Sequence, residues 1–175
     1  EIKILIGMPS GSGSIPVEMV QSLLMLHKPV QCGFQIIVRQ RIDQARNALV
    51  ETALKNDFDY LFMVDDDNPI PLDTLEKFLE DDKDIVSAPI LGRNPLPDGT
   101  HNLCAFYAEE VTVDGAPLRL YHHIKTFKEK GHMHKVDAVG TGCILIKRKV
   151  LETVFPKFDG RPFEFGEIKF KEPLH

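Results

Sequence analysis

At 175 residues the chain is long enough for a single domain that buries roughly 70% of the surface its unfolded form exposes, so no disulfide staple is required. With 43% hydrophobic and 27% charged residues the composition is globular and excludes a disordered chain, and no apolar run reaches the roughly 18 residues of a spanning helix. The 21 Lys and Arg against 26 Asp and Glu leave a net charge of -5, so there is no overall positive field to hold a polyanion and nucleic acid is not expected as a partner.

The cysteines, Cys32, Cys104 and Cys143, are odd in number and lack CxxC spacing, so neither a disulfide framework nor a zinc site is expected. They read as buried thiols of a reducing, cytoplasmic compartment. The first residue, Glu1, is expected of a piece cut from a longer protein.

In chain order, Ile2, Ile4 and Ile6 alternate with Lys3 and Leu5 in a strand that runs into the loop Gly7 to Ser14. From Pro16 the apolar positions Val17, Val20, Leu23, Leu24 and Met25 predict a helix to about His27. Phe34 to Val38 is a second strand, and the spacing of Ile42, Ala45, Leu49 and Ala53 predicts a helix over Arg41 to Lys55. Tyr60 to Val64 is apolar without alternation, as expected of a strand covered on both faces, and it stops at Asp65-Asp66-Asp67-Asn68-Pro69. Leu72, Leu75, Phe78 and Leu79 mark a third helix, and Asp84 to Leu91 a fourth strand.

After Gly92 a turn-rich stretch leads to short β runs at Leu103 to Tyr107, Val111 to Val113 and Leu118 to Tyr121, with Asp114-Gly115 as a hairpin signal. Val136 to Val139 and Cys143 to Lys147 flank Gly140-Thr141-Gly142, and a short helix follows over Arg148 to Val154. The fold class is therefore α/β, an open mixed sheet with a parallel Rossmann-like N-terminal half, right-handed crossovers and a more antiparallel C-terminal half. One domain over 1–175 is expected, its second half sharing the sheet.

In such a sheet ligands bind beyond the carboxyl ends of the strands. The Ser10 to Ser14 loop, the polar stretch Arg39-Gln40-Arg41 with Arg46 and Asn47, and the acidic triplet all fall there. If the triplet is extended, Asp65 and Asp67 share a side and Asp66 faces away, a repulsive pair that a hard cation, Mg²⁺ or Mn²⁺, would stabilise together with diphosphate oxygens. The bland alternative is a solvated turn ahead of the helix near Pro71. Likewise the Ser/Gly loop is either a phosphate or base contact or a plain connection, since it lacks the complete pattern of a phosphate loop. Arg41 and Arg46 are ligand contacts or surface charges of an amphipathic helix. His122, His123, His132 and His134, among Lys125, Lys128, Lys130 and Lys135, read as a charged loop able to close over a donor. Gly140-Thr141-Gly142 is a tight turn or a place where backbone approaches a sugar.

Together these residues resemble a nucleotide-sugar glycosyltransferase of the GT-A fold, similar to the group that includes the inverting family-two enzymes. The resemblance rests on Ile4 to Ser10, Arg46-Asn47, the Asp-x-Asp closing Tyr60 to Asp67, and Gly140 to Arg148, and it spans most of the chain. It implies transfer of a sugar from a nucleoside diphosphate donor to an acceptor hydroxyl, the acceptor being unidentified. Pro9 and Ser10 would hold base and ribose, and Arg46, with Arg41 nearby, would lie near the diphosphate or base. Asp65 and Asp66 would face the donor, Asp65 and Asp67 the Mn²⁺ or Mg²⁺, and Gly140, Thr141 and Gly142 the sugar or acceptor.

Inverting relatives carry a general base in a Glu-Asp pair beyond the segment matching Phe163-Glu164-Phe165, and no such pair precedes His175. The catalytic element would then lie past His175 or in an omitted stretch, or activity is degraded; Glu164, Glu167 and Glu172 are poor substitutes. Two rivals remain. A non-catalytic nucleotide-sugar binding module needs no base. An aspartate-dependent phosphoryl hydrolase expects its Asp-x-Asp after the first strand with a Thr or Val two residues on, whereas here the pair follows the third strand and Asn68-Pro69 comes next.

Overall fold

The computed structural model describes residues 1–92, 94–113, 115–125 and 133–155. Asp114 of the hairpin signal, Lys128, Lys130 and His132 of the charged stretch, and Glu164, Glu167 and Glu172 lie outside the described residues.

The elements run β1 (Lys3–Ser10), α1 (Val17–Met25), β2 (Gln31–Val38), α2 (Ile42–Lys55), β3 (Tyr60–Val64), α3 (Thr74–Asp81), β4 (Ile85–Ser87), β5 (Ala105–Val113), β6 (Ala116–His123), β7 (Ala138–Val139), β8 (Cys143–Lys147) and α4 (Arg148–Val154). β1, flanked by parallel β2 and β3, is an interior strand, second in a five-stranded sheet of order β2-β1-β3-β8-β4. β8 is antiparallel to both β3 and β4, so β1 to β4 all run one way and β8 is inserted between them. The fold is thus α/β with an open mixed sheet. Among the described residues no helix is long and apolar enough to cross a membrane.

The sheet has a core on each face, which explains the unbroken apolar run of β3. Phe62 and Val64 pack with Ile4, Ile6, Met8 and Leu145 under α1 and α3, represented by Met19, Leu75 and Phe78. Leu61 and Met63 point the other way and join Leu5, Ile144, Leu49, Ala53 and Leu151 under α2 and α4. Phe62 is fully buried and meets Phe78 edge-on, ring centroids 6.0 Å apart. Burial of one such ring contributes about 1.5–3 kcal/mol.

β1 departs from the expected alternation: Ile4 through Ser10 are all buried, because helices cover this interior strand on both faces. The expected fourth strand is only Ile85–Ser87, and Leu72 precedes rather than joins α3. The two β runs from Leu103 to Val113 merge into β5, which pairs with β6 in a hairpin closing at Val113 opposite Ala116. Glu109 and Glu110 do not interrupt the strand, since both face solvent. β5, β6 and β7 form a separate antiparallel three-stranded sheet; of the second half, only β8 joins the main sheet. His122 and His123 lie in β6 rather than in a loop, His122 bonded to Glu109 at 2.9 Å and the His123 ring tilted at 44° against Phe106 with centroids 4.5 Å apart. Of the cysteines only Cys143 is buried; Cys32 and Cys104 are partly exposed.

Candidate functional site

The strand register brings the first two segments of interest to one edge. Gly7 lies opposite Met63 in the parallel β1/β3 pair, so Asp65, two residues on, is level with Pro9. Ser10, the last residue of β1, is 2% exposed. Its hydroxyl accepts a hydrogen bond from Gly13 N–H at 3.1 Å, and its carbonyl accepts one from Arg39 N–H at 3.0 Å. The Ser/Gly loop is thereby folded back and tied to the end of β2. Gly13 has φ +72 and Arg39 φ +57, and the Arg39 Nε lies 3.5 Å from where a Cβ on Gly13 would stand. A left-handed arginine is a costly conformation, held here by its neighbours.

At the other end of the edge, Asp65 continues the β3/β8 ladder by donating its backbone N–H to Gly142 O at 2.9 Å. Its carboxylate Oδ1 accepts from Arg46 Nη2 at 2.9 Å, with the two side chains 25% and 29% exposed. α2 sets this pair up: Arg46 follows Ala45, which is buried against the sheet, so Arg46 lies at the helix flank nearest the strand end. Arg46 Nε is buried without a hydrogen-bond partner. A Cβ on Gly142 would stand 3.1 Å from Asp65 Oδ2, 3.0 Å from Asn68 Nδ2 and 2.8 Å from Ile90 Cδ1, so the backbone reaches the acidic turn only because the residue is glycine.

Asp66 and Asp67 lie in a turn, not in continued strand, so the alternation that would set Asp65 and Asp67 on one side does not extend past Val64. Asp66 is half-buried and Asp67 exposed. The Gly140 to Gly142 bend is anchored at several points. Gly140 N–H donates to Cys104 O at 2.7 Å, and Ser87 Oγ lies 3.2 Å from Gly140 O and 3.0 Å from Cys143 O. Thr141 is half-buried between the two glycines.

The structure thus brings together Arg46, Asp65, Asn68 and Gly142, with Pro9 and Ser10 level on the same edge. Arg41 is not drawn in: it precedes the first turn of α2, is 76% exposed, and its guanidinium meets Asp43 at 3.2 Å. Ser87 is a contributor that sequence spacing does not single out, and Asn68 carries only the local signal of a turn residue next to a proline; Arg39 belongs to the polar stretch expected at this edge, but its left-handed conformation has no signal in the sequence. Cys143 adjoins Asp65, and burial, aided by that carboxylate, pushes its thiol up to about 12 despite a hydrogen bond with the Ala88 backbone. The thiol is protonated and inert as a nucleophile at neutral pH.

Among the described residues no group of three or more His, Cys, Asp or Glu side chains is set to hold a metal ion. What the edge offers is hard carboxylate oxygen on Asp65 and Asp67. Two carboxylates of that kind would suit a small divalent cation that keeps most of its waters, rather than a closed protein cage.

A scan against protein-family models returns no match, and a search of curated proteins returns none either. Among solved structures, the crystal structure of A197 from STIV matches over 98% of this chain and 70% of its own, with a TM-score of 0.54 and 18% identity. At that identity the likeness shows a shared fold, the α/β open sheet.

Proposed function

We propose that the chain binds a nucleoside diphosphate sugar at the Asp65 edge with Mn²⁺ or Mg²⁺ and transfers the sugar to an acceptor hydroxyl, with inversion as the resemblance implies. The observation that carries the reading is the Arg46–Asp65 pair at 2.9 Å, closed over by the Gly142 backbone at the carboxyl end of the parallel strands. A cation guanidinium with an unsatisfied buried Nε, set beside hard carboxylates, suits an anionic ligand that comes with its own counter-cation.

In this reading Asp65 and Asp67 hold the cation, which supplies Lewis-acid stabilisation of the leaving diphosphate when bound. Arg46 exchanges part of its bond to Asp65 for a phosphate oxygen and balances the charge that develops there. The folded-back loop of Ser10 to Gly13 presents backbone to the nucleoside, with Pro9 beside it, and the Gly140 to Gly142 bend faces the sugar. Localisation in a reducing, cytoplasmic compartment is part of the same proposal.

The test is release of nucleoside diphosphate from UDP- or GDP-linked sugars into water in the presence of Mn²⁺. Slow release, abolished by a chelator and by Asp67→Ala, is expected. No release alongside intact metal-dependent binding would leave a non-catalytic binding module in place of the transferase; the residues considered for a general base, Glu164, Glu167 and Glu172, lie outside the described residues.

A further inference from the structure

Between β3 and α3 the chain passes from Asp65 to Asp73, and residues 68–71 of that passage belong to no helix or strand. Pro69 and Pro71 have no N–H to donate, and each steers the residue before it, Asn68 and Ile70, away from a helical turn. The backbone of Ile70, a residue only 9% exposed, must therefore find its hydrogen bonds at a distance. Both are made by one side chain. Ser22 Oγ of α1 accepts from Ile70 N–H at 2.8 Å and donates to Ile70 O at 2.8 Å. Just beyond, Leu72 O accepts from His27 N–H at 2.8 Å, at the end of the same helix.

Ser22 stands between the buried Met19 and Leu26 on the face of α1 that packs with Ile70, Leu75 and Phe78. An apolar residue would serve that packing; the hydroxyl instead serves both backbone groups of a residue 48 positions away. The acidic turn is thereby anchored at each end. Asp65 N–H is fixed on Gly142 O at 2.9 Å beside the sheet, Ile70 is fixed on α1, and Asp66, Asp67 and Asn68 span the interval. Because α1 begins at Val17, directly after the Ser/Gly loop, one helix links that loop to the turn.

We propose that Ser22 is a positioning residue of the Asp65 edge: without touching a ligand, it fixes the far end of the acidic turn and so the place at which Asp67 presents its carboxylate. This rests on the reading of Asp65 and Asp67 as cation ligands. A turn anchored at one end only spreads its carboxylate over several placements, and a cation held by two carboxylates and otherwise by water depends on the separation of those two.

The test is Mn²⁺ uptake by the full chain, read from loss of the free-ion paramagnetic resonance signal, with UDP and again with GDP present. Ser22→Ala should weaken uptake about tenfold, the scale of losing a group that orients metal ligands. Ser22→Cys, close in size but a weak donor, should also weaken it, and Ser22→Thr, which keeps the hydroxyl, should restore most of it. Leu23→Ala removes packing from the same helix without touching the clasp and should bind as the parent does. Amide hydrogen exchange without metal reads the turn itself: Ser22→Ala should speed exchange at Ile70 and at Asp66, Asp67 and Asn68, with circular dichroism unchanged. Parent-like Mn²⁺ uptake by Ser22→Ala, or an equal loss in Leu23→Ala, would overturn the positioning role and leave the cation reading standing. Faster exchange confined to Ile70 would do the same, since the turn would then be set without the clasp. A parent chain that takes up no Mn²⁺ with either nucleotide would overturn both.

Discussion

Asp65 is held from three sides: by Gly142 through the backbone, by Arg46 through the side chain, and by the packing of Asn68 and Ile90 around the same glycine. Gly142→Ala forces a methyl into contacts of 2.8 to 3.1 Å, so Asp65, Asn68 or Ile90 must move. Overpacking of this kind costs about 1–3 kcal/mol, or about 2–4 °C of Tm per kcal/mol at this chain length. A thermal melt with unchanged Tm would show that the close approach is not a constraint. Arg46→Ala leaves a half-buried carboxylate without its charged partner, for a loss of about 1–3 kcal/mol, and Arg46→Lys should not restore full donor affinity because a point charge cannot make the guanidinium contacts. Denaturant titration and calorimetry check the two halves of that statement. Cys143 should resist alkylation in the native protein at neutral pH and react once unfolded, as a thiol held at about 12 must.

At the scale of elements, β4, β8 and the end of α3 meet at an ionic corner. Lys147 reaches Asp82 at 2.6 Å and Asp84 at 3.7 Å, and Lys149 reaches Asp84 at 2.7 Å. The Lys147 hydrogen bond holds the Asp82 carboxyl below the usual aspartate range, the Lys149 hydrogen bond does so for Asp84, and the bond to Asp82 raises Lys147. Carboxylates held low contribute stability that is complete above the unfolded aspartate value of about 3.9 and is lost as pH falls through the lower folded value. Lys147 contributes fully below about 10.4 and is lost as pH rises through its raised value. Asp82→Asn keeps a residue suited to the left-handed conformation, φ +48, while removing the charge. Its stability should therefore differ least from the parent's at acid pH and most at neutral pH, and a parallel pair of curves down to acid pH would contradict the assignment.

The same scale shows what could be read from residues alone. The apolar run of β3 was legible because burial on both faces removes alternation, α2 followed its spacing almost residue for residue, and α4 has the expected bounds. The merging of two β runs into β5 was not, because Glu109 and Glu110 carry a loop-like composition in a strand that faces solvent. Nor was the insertion of β8 between β3 and β4, a pairing between segments far apart in the chain that no local pattern encodes. At the candidate site, the closeness of Asp65, Arg46 and Gly142 was legible from type and position, while the turn at Asp66 and Asp67 overrode the expected alternation, and Arg41 lies outside it, paired with Asp43 at the surface.

For the molecule as a whole, the open sheet and the likeness to A197 from STIV concern architecture, and function rests on the chemistry of one edge. The most direct measurement is isothermal calorimetry with UDP- and GDP-linked sugars, run with Mn²⁺ or Mg²⁺ and again with chelator, on the parent chain and on Asp67→Ala. Binding to the parent only with the metal, and loss of the metal dependence in Asp67→Ala, is expected; binding of equal strength with chelator present would contradict a metal-bridged donor site.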